Sequence, residues 1–218
     1  MAAGFPARDG GLLVDRMIRA IRENRDRLSA IDGAIGDGDH GINMAKGFGL
    51  CAERLAGEPR GLEESLRTLG RVLLMEIGGS MGPLYGSFFL EMAKAARGLD
   101  RVDGPAFLGM LQAGLAKIRA VGGAERGDKT LLDVLVPAVS ALAGALDRGE
   151  PFGDALEALD AASAAGFEST RDMVARVGRA SRLGERSRGF PDAGAASCDL
   201  LLRAMTDGIR DLMKEDRA

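Results

Sequence analysis

The sequence has 218 residues, of which 46% are hydrophobic and 28% charged, and its formal net charge is −3. These values are typical of a folded globular protein, and the mixed charges lack the basic face of a nucleic-acid-binding protein. We find no signal-peptide pattern and no apolar stretch of membrane-spanning length. We therefore predict a single domain over residues 1–218 of a cytoplasmic protein, with no nucleic-acid or membrane partner and with Cys51 and Cys198 reduced and buried.

Helical periodicity dominates the chain. Five segments carry apolar residues at spacings of three, four and seven, and three weaker segments are rich in alanine, which favours helices. Aromatic residues make up only 4% of the chain, and no segment alternates as a half-buried strand would. We predict an all-α fold of eight antiparallel helices with no strand. The predicted helices cover about 13–28, 41–56, 62–77, 83–97, 107–118, 132–142, 152–176 and 201–212.

The connections between the predicted helices are of two kinds. Three are short polar turns with Gly and Pro, and four are longer, rich in glycine and charged. In an up-and-down bundle, the connections after the first, third, fifth and seventh helices emerge at the same end, and these are the four longer ones. We name them the first to fourth site loops and predict that they build one site. They are DGAIGDGDHG (32–41), GGSMGPLYG (78–86), VGGAERGDKT (121–130) and GRASRLGERSRGFPDAG (178–194).

The first site loop places three aspartates within eight residues. Asp37 and Asp39 flank Gly38, so a tight turn could direct both carboxylates inward, and Asp32 stands at the end of the first helix. Carboxylates together with phosphate oxygens are ligands that Mg²⁺ prefers. A solvated Asp-Gly turn is the alternative. His40 either donates to a phosphate or caps the next helix, and no nucleophilic triad can be assembled around this single histidine.

The second and third site loops are glycine-rich and each precedes a helix. Glycines there allow backbone N–H groups and the helix dipole to face an anion such as phosphate. In the second loop Pro83 is expected at the first helical position, and a plain turn is the alternative. In the third loop, glycine N–H groups and Lys129 could contact phosphate or ribose, whereas the alternative gives Thr130 or Asp128 only an N-cap role. The residue order is not that of a Walker A loop.

The fourth site loop is basic where the first is acidic. Guanidinium groups are natural partners of phosphate oxygens, although a salt-bridged surface would also bring acidic and basic loops together. Combined with the glycine-rich loops and the aspartates, the arginines favour a Mg²⁺–nucleotide site. They are Arg179, Arg182, Arg186 and Arg188, and Asp192 and Gly194 follow them.

Four motifs together resemble a known family. AIGDGDHG, GGSMGPLYG, GDKT and GRASRLGERSRG occur in this order, and the similarity covers about residues 10–214. They resemble the nucleotide-binding L subunit of bacterial dihydroxyacetone kinases. The resemblance implies an eight-helix antiparallel barrel with ADP or ATP at one end, bound through two Mg²⁺ ions. It implies metal ligation by Asp32, Asp37 and Asp39, and nucleotide contacts from His40, Gly41, Asn43, Ser80, Met81, Gly122, Leu131, Arg179, Asp192, Ala193 and Gly194.

The resemblance also implies a kinase subunit that works with partners. It would present Mg-ATP for phosphoryl transfer to dihydroxyacetone bound on a K subunit, with positioning by metal and Arg179 and no catalytic nucleophile of its own. A phosphotransferase-system M subunit would rephosphorylate the ADP. Four alternatives stay open. The donor could be free ATP, the substrate could be a four-carbon ketose, the chain could be a nucleotide-loaded regulatory module, and it could form a homodimer. Met81 stands where family members often have serine, which removes one hydrogen-bond donor.

Overall fold

The computed structural model describes residues 3–57 and 60–216, and almost all regular structure in them is helical. The all-α prediction is confirmed, although two three-residue strands, β1 (Gly4–Pro6) and β2 (Arg101–Asp103), are also present. The α-helices of these residues are α1 (Gly11–Glu23), α2 (Arg25–Ile35), α3 (His40–Leu55), α4 (Leu62–Glu76), α5 (Met81–Ala96), α6 (Gly104–Gly122), α7 (Leu132–Asp147), α8 (Phe152–Ser169) and α9 (Ala193–Glu215).

The helices form a closed ring around one core. From α3 to α9 each helix packs against the next along the chain, α3 also packs against α1 and α2, and α9 closes the ring against α1. The apolar residues that predicted the helices point into this ring: Leu13, Met17 and Ile21 of α1 are fully buried. Burial of such stripes drives the assembly, because each apolar face finds a partner only on neighbouring helices.

Two predicted helices end differently in the structure. The first is interrupted at Asn24, whose side chain donates to the Ala20 carbonyl at 3.0 Å, so that it becomes α1 and α2. Buried residues continue at helical spacing across this break, as Leu28 shows, so the periodicity does not reveal it. The helix predicted over 152–176 ends at Ser169, and short 3₁₀ turns follow at 170–172 and 180–187.

The small sheet lies at the end of the ring away from the site loops. Strands β1 and β2 are antiparallel, with Phe5 opposite Val102, and both side chains are completely buried. Beside them, Arg101 pairs with Asp216 after α9, with Nη2 and Oδ2 2.6 Å apart. The prediction of no strand was wrong here, because three residues are too few to show an alternating pattern.

Two further features bear on the sequence predictions. Cys51 and Cys198 are both buried and unpaired with each other, as predicted. No helix within residues 3–57 and 60–216 combines the length and apolar composition needed to cross a membrane.

Candidate functional site

The four site loops line one cavity of about 650 Å³. This volume lies in the range typical of small-molecule sites. The convergence predicted from the order of the helices is therefore present in the structure. Four helices begin at the cavity wall, where their first turns contribute His40 of α3, Met81 of α5, Leu132 of α7 and Ala193 of α9.

Four helix N-termini at one cavity create a positive potential without any cationic side chain. The first turn of each helix leaves backbone N–H groups without helical acceptors, and the aligned peptide dipoles place partial positive charge at this end. One such N–H already has an anionic neighbour, since the His40 amide donates to Asp32 Oδ2 at 3.3 Å. Phosphate groups are the ligands that such N-termini commonly bind.

The three aspartates of the first site loop meet at the cavity. One carboxylate oxygen from each of Asp32, Asp37 and Asp39 lies within 4.8 Å of the others. Glycines permit the arrangement: Gly38 has a φ of +77°, and a Cβ on Gly36 would lie 2.3 Å from Asp32 Oδ1. Three carboxylates this close repel one another unless cations lie between them. Hard oxygen donors in this number fit Mg²⁺.

One cationic side chain reaches these carboxylates from the opposite wall. The guanidinium of Arg179, in the fourth site loop, forms an ion pair with Asp37. The charged side chains lining the cavity are the aspartates already named, Asp192, Arg179 and Lys129. Carboxylates therefore outnumber cations, and an anionic ligand needs added cations to be bound there.

Lys129 lines the cavity, but its ammonium group is taken up by backbone carbonyls. Its side chain is 2% exposed, and Nζ donates to the carbonyls of Met173 at 3.1 Å, Ser187 at 2.6 Å and Phe190 at 2.7 Å. These contacts use all three N–H donors, and burial lowers the pKa of the ammonium group. The suggested contact between Lys129 and phosphate was wrong. The residue instead fastens the third site loop to the fourth.

The rest of the third site loop is held against the first turn of α7. The Asp133 carboxylate accepts from the amides of Gly127 at 2.5 Å and Thr130 at 2.7 Å, and the Thr130 hydroxyl accepts from the Leu132 amide at 3.2 Å. Neither capping candidate is the N-cap, because α7 begins after Leu131 and has no side-chain cap; Asp128 accepts from the Glu125 amide instead. The Thr130 contact still satisfies one N–H group at the start of the helix.

His40 takes part in a buried polar chain that sequence reasoning missed. Its Nε2 lies 2.9 Å from Ser197 Oγ, and Tyr85 Oη lies 2.8 Å from the same oxygen. Burial lowers the pKa of His40 to about 4 and raises that of Tyr85 well above its ordinary value. Tyr85, the only tyrosine, stands in the second site loop, and Ser197 is a polar residue in the apolar stripe of α9. Both features are visible in the sequence and could have pointed to this polar chain.

Asp192 caps α9 at the cavity wall. Its carboxylate accepts from the Ala195 amide at 2.7 Å, which is the usual N-cap contact. Burial raises the pKa of this carboxyl group to about 7, and the capping hydrogen bond opposes that shift only in part.

Arg182, Arg186 and Arg188 of the fourth site loop do not line the cavity. Of the metal and nucleotide ligands that the family resemblance implies, all but one do. The exception is Gly41, where a Cβ would lie 2.0 Å from the Arg25 carbonyl oxygen and 2.7 Å from the Ser29 amide, so its position serves the packing of α3 on α2. Pro83 lines the cavity within the first turn of α5, two residues after the helix begins. The others in the wall are Asp32, Asp37, Asp39, His40, Asn43, Ser80, Met81, Gly122, Leu131, Arg179, Asp192, Ala193 and Gly194.

Comparison with known proteins identifies related chains. A family model described as the DAK2 domain matches residues 34–207. The chain is 40% identical over 186 residues to the ADP-binding subunit DhaL of PEP-dependent dihydroxyacetone kinase 1 from Listeria innocua, covering 85% of this chain and 88% of that protein. It is 37% identical over 179 residues to the corresponding subunit from Escherichia coli K12, covering 82% and 85%.

A solved structure has the same fold. The dihydroxyacetone kinase of C. freundii aligns with a TM-score of 0.68 and 25% identity over 91% of this chain and 34% of that one. Its complex with AMP-PNP and Mg²⁺ aligns with a TM-score of 0.67 over 90% of this chain. This chain thus spans about a third of that kinase, whereas it matches the DhaL subunits over most of their length. The chain belongs to the DAK2-domain family.

Proposed function

We propose that this chain is the nucleotide-carrying subunit of a dihydroxyacetone kinase. It binds ADP or ATP together with Mg²⁺ and presents ATP for phosphoryl transfer to dihydroxyacetone on a partner K subunit. The observation that carries the proposal is that three clustered carboxylates and four helix N-termini lie at the same cavity. The relatives named as ADP-binding subunits support the same assignment.

The aspartates of the first site loop would hold the metal. We propose two Mg²⁺ ions shared among Asp32, Asp37 and Asp39, the number that the family resemblance implies. The cluster supports this number, because one Mg²⁺ is usually bound by only one or two carboxylates together with phosphates and water, and three carboxylates lie within 4.8 Å here. When bound, Mg²⁺ neutralises charge on the phosphates. Arg179 is placed to do the same from the opposite wall, after exchanging its contact with Asp37 for a phosphate oxygen.

The remaining wall would hold the nucleotide. Helix N-termini at His40, Ser80 and Met81 provide backbone N–H groups for the phosphates, and Gly122 and Leu131 form the adenine side. Met81 cannot donate a hydrogen bond from its side chain. The adjacent Ser80 or backbone N–H groups therefore take the place of the serine that family members often carry.

Exposed apolar side chains at the cavity bear on where a partner would dock. Val121 and Val177, which line the cavity, are 44% and 37% exposed. A partner that covered these side chains would bury apolar surface, and we propose that the K subunit docks here. We further propose that an M subunit rephosphorylates the bound ADP, since the relatives are named PEP-dependent, and that the protein works in the cytoplasm, where ATP is available.

Transfer of labelled phosphate tests this function. The chain is mixed with a K subunit from a related kinase, labelled ATP and dihydroxyacetone, and the phosphorylated sugar is measured. We expect transfer with the unaltered chain and a loss of at least about a hundredfold with Asp39→Asn, because one of the charge-bearing metal ligands is removed. Asp147→Asn, at an exposed site at the far end of α7, is the matched control and should retain transfer.

Two results would argue against the proposal. Equal transfer by the Asp39→Asn variant and the control would remove the metal assignment. Retention of nucleotide without transfer, with any K subunit and with dihydroxyacetone or a four-carbon ketose, would instead favour a regulatory module.

A further inference from the structure

Three side chains from distant parts of the sequence form a hydrogen-bonded chain in the cavity wall. Ser197 Oγ lies at its centre, 2.8 Å from Tyr85 Oη, 2.9 Å from His40 Nε2 and 3.0 Å from the Gly194 carbonyl oxygen. Tyr85 Oη also lies 3.3 Å from that carbonyl. Ser197 is completely buried, and Tyr85 is 3% exposed. Water therefore has little access to the chain.

The directions of these hydrogen bonds are limited by the available protons. A serine hydroxyl has one proton and accepts through its lone pairs, and a neutral imidazole has one N–H and one lone pair. In one arrangement Tyr85 donates to Ser197, Ser197 donates to Nε2 of His40, and the histidine proton is on Nδ1. In the other, Nε2–H donates to Ser197, Ser197 donates to the Gly194 carbonyl, and Nδ1 carries a lone pair.

The position of Nδ1 distinguishes the two arrangements. His40 lines the cavity, and its Nδ1 makes no hydrogen bond within the described residues and is not enclosed. With Nε2 engaged by Ser197, Nδ1 is the ring nitrogen left for a ligand in the cavity that His40 lines. A lone pair there would repel anionic oxygens, whereas an N–H would donate to them. In either arrangement the Gly194 carbonyl, in the first turn of α9, can still accept its helical hydrogen bond.

We infer that Tyr85 and Ser197 are positioning residues that hold His40 as the Nδ1–H tautomer, so that an N–H faces the phosphates of the bound nucleotide. The inference rests on the proposed nucleotide function and adds two residues to that site. Ser197 does not line the cavity, and the Tyr85 hydroxyl is engaged with Ser197. They act through the imidazole ring by fixing which nitrogen carries the proton, as second partners of functional histidines commonly do.

Nitrogen NMR can read this tautomer directly, because the sequence contains one histidine. Tag-free protein labelled with ¹⁵N in histidine is recorded near neutral pH with ADP and Mg²⁺. We expect Nδ1 to resonate as a protonated, pyrrole-type nitrogen and Nε2 as an unprotonated, pyridine-type nitrogen. The opposite assignment, or two protonated nitrogens, would overturn the inference.

Substitutions test whether the tautomer of His40 affects the affinity for ADP. Ser197→Ala removes the donor to Nε2, so we expect the Nε2–H form to appear and ADP affinity in calorimetry to fall about tenfold. Tyr85→Phe removes only the outer link and should cause a smaller change in the same direction. Ser163→Ala is the matched control, since Ser163 is equally buried but donates to Asp199 outside the cavity. It should leave the histidine spectrum and the affinity unchanged.

The outcomes separate this inference from the function on which it rests. ADP binding with an unchanged His40 spectrum in Ser197→Ala would overturn the positioning role and leave the nucleotide function standing. Absence of ADP binding by the unaltered, folded protein would overturn both. A Ser197→Ala protein that fails to fold is replaced by Ser197→Cys, whose thiol is a weaker donor and should give an intermediate tautomer ratio.

Discussion

Burial changes the protonation of individual side chains at the cavity. It lowers the pKa of His40 to about 4 and raises that of Asp192 to about 7. His40 is therefore neutral at physiological pH, so one ring nitrogen keeps a lone pair and the other an N–H. The two shifts couple folding to pH with opposite signs. Acidification weakens the contribution of the histidine, whereas it strengthens that of the aspartic acid, which is more easily accommodated when protonated.

The contribution of His40 can be isolated with a His40→Gln variant. Because the folded pKa lies below the ordinary value of 6.5, the histidine stabilises the fold fully above pH 6.5 and loses this effect as the pH falls through 4. We expect the free energy of unfolding of the unaltered protein to fall by about 3 kcal/mol relative to the variant over this range. Urea denaturation of nucleotide-free protein in EDTA measures it. Parallel pH profiles would contradict the expectation.

At the level of elements, local sequence patterns predict some features and miss others. The helices follow from their apolar stripes, and the aspartates and glycines of the first site loop lie close enough in sequence to suggest a metal site. The break at Asn24 is hidden, because apolar periodicity continues across it. The contact between His40 and Ser197 joins residues 157 positions apart. No local pattern specifies such a pairing, since it depends on the closure of the ring.

A substitution of Lys129 tests whether this residue links the third site loop to the fourth. Lys129→Met removes the donor shared by three carbonyls and leaves them buried without it, so we expect a loss of about 3 kcal/mol in the free energy of unfolding. Residues 173–190 should also be cleaved faster by protease, since the link to the third site loop is lost. Lys46→Met, at an exposed site on α3, is the control. Equal stability and equal cleavage of the two variants would contradict a fastening role.

On the scale of the whole molecule, the two ends of the ring have different compositions and different tasks. One end carries the short connections, the small sheet and the Arg101–Asp216 pair, which hold the ring closed. The other carries four long loops whose glycines, aspartates and helix N-termini surround one cavity. This separation allows the loops to keep repulsive carboxylates together, because the stability of the fold comes from the core and the opposite end.

Native mass spectrometry combined with metal analysis shows whether the chain carries a nucleotide and Mg²⁺. Protein purified gently, in buffer containing Mg²⁺, should carry one ADP or ATP and two Mg²⁺ ions per chain. The Asp37→Asn and Asp39→Asn variants should lose the nucleotide while their circular dichroism remains helical, because without the cations the carboxylates repel the phosphates. A folded, unaltered protein that binds neither nucleotide nor Mg²⁺, or aspartate variants that retain both, would contradict the account.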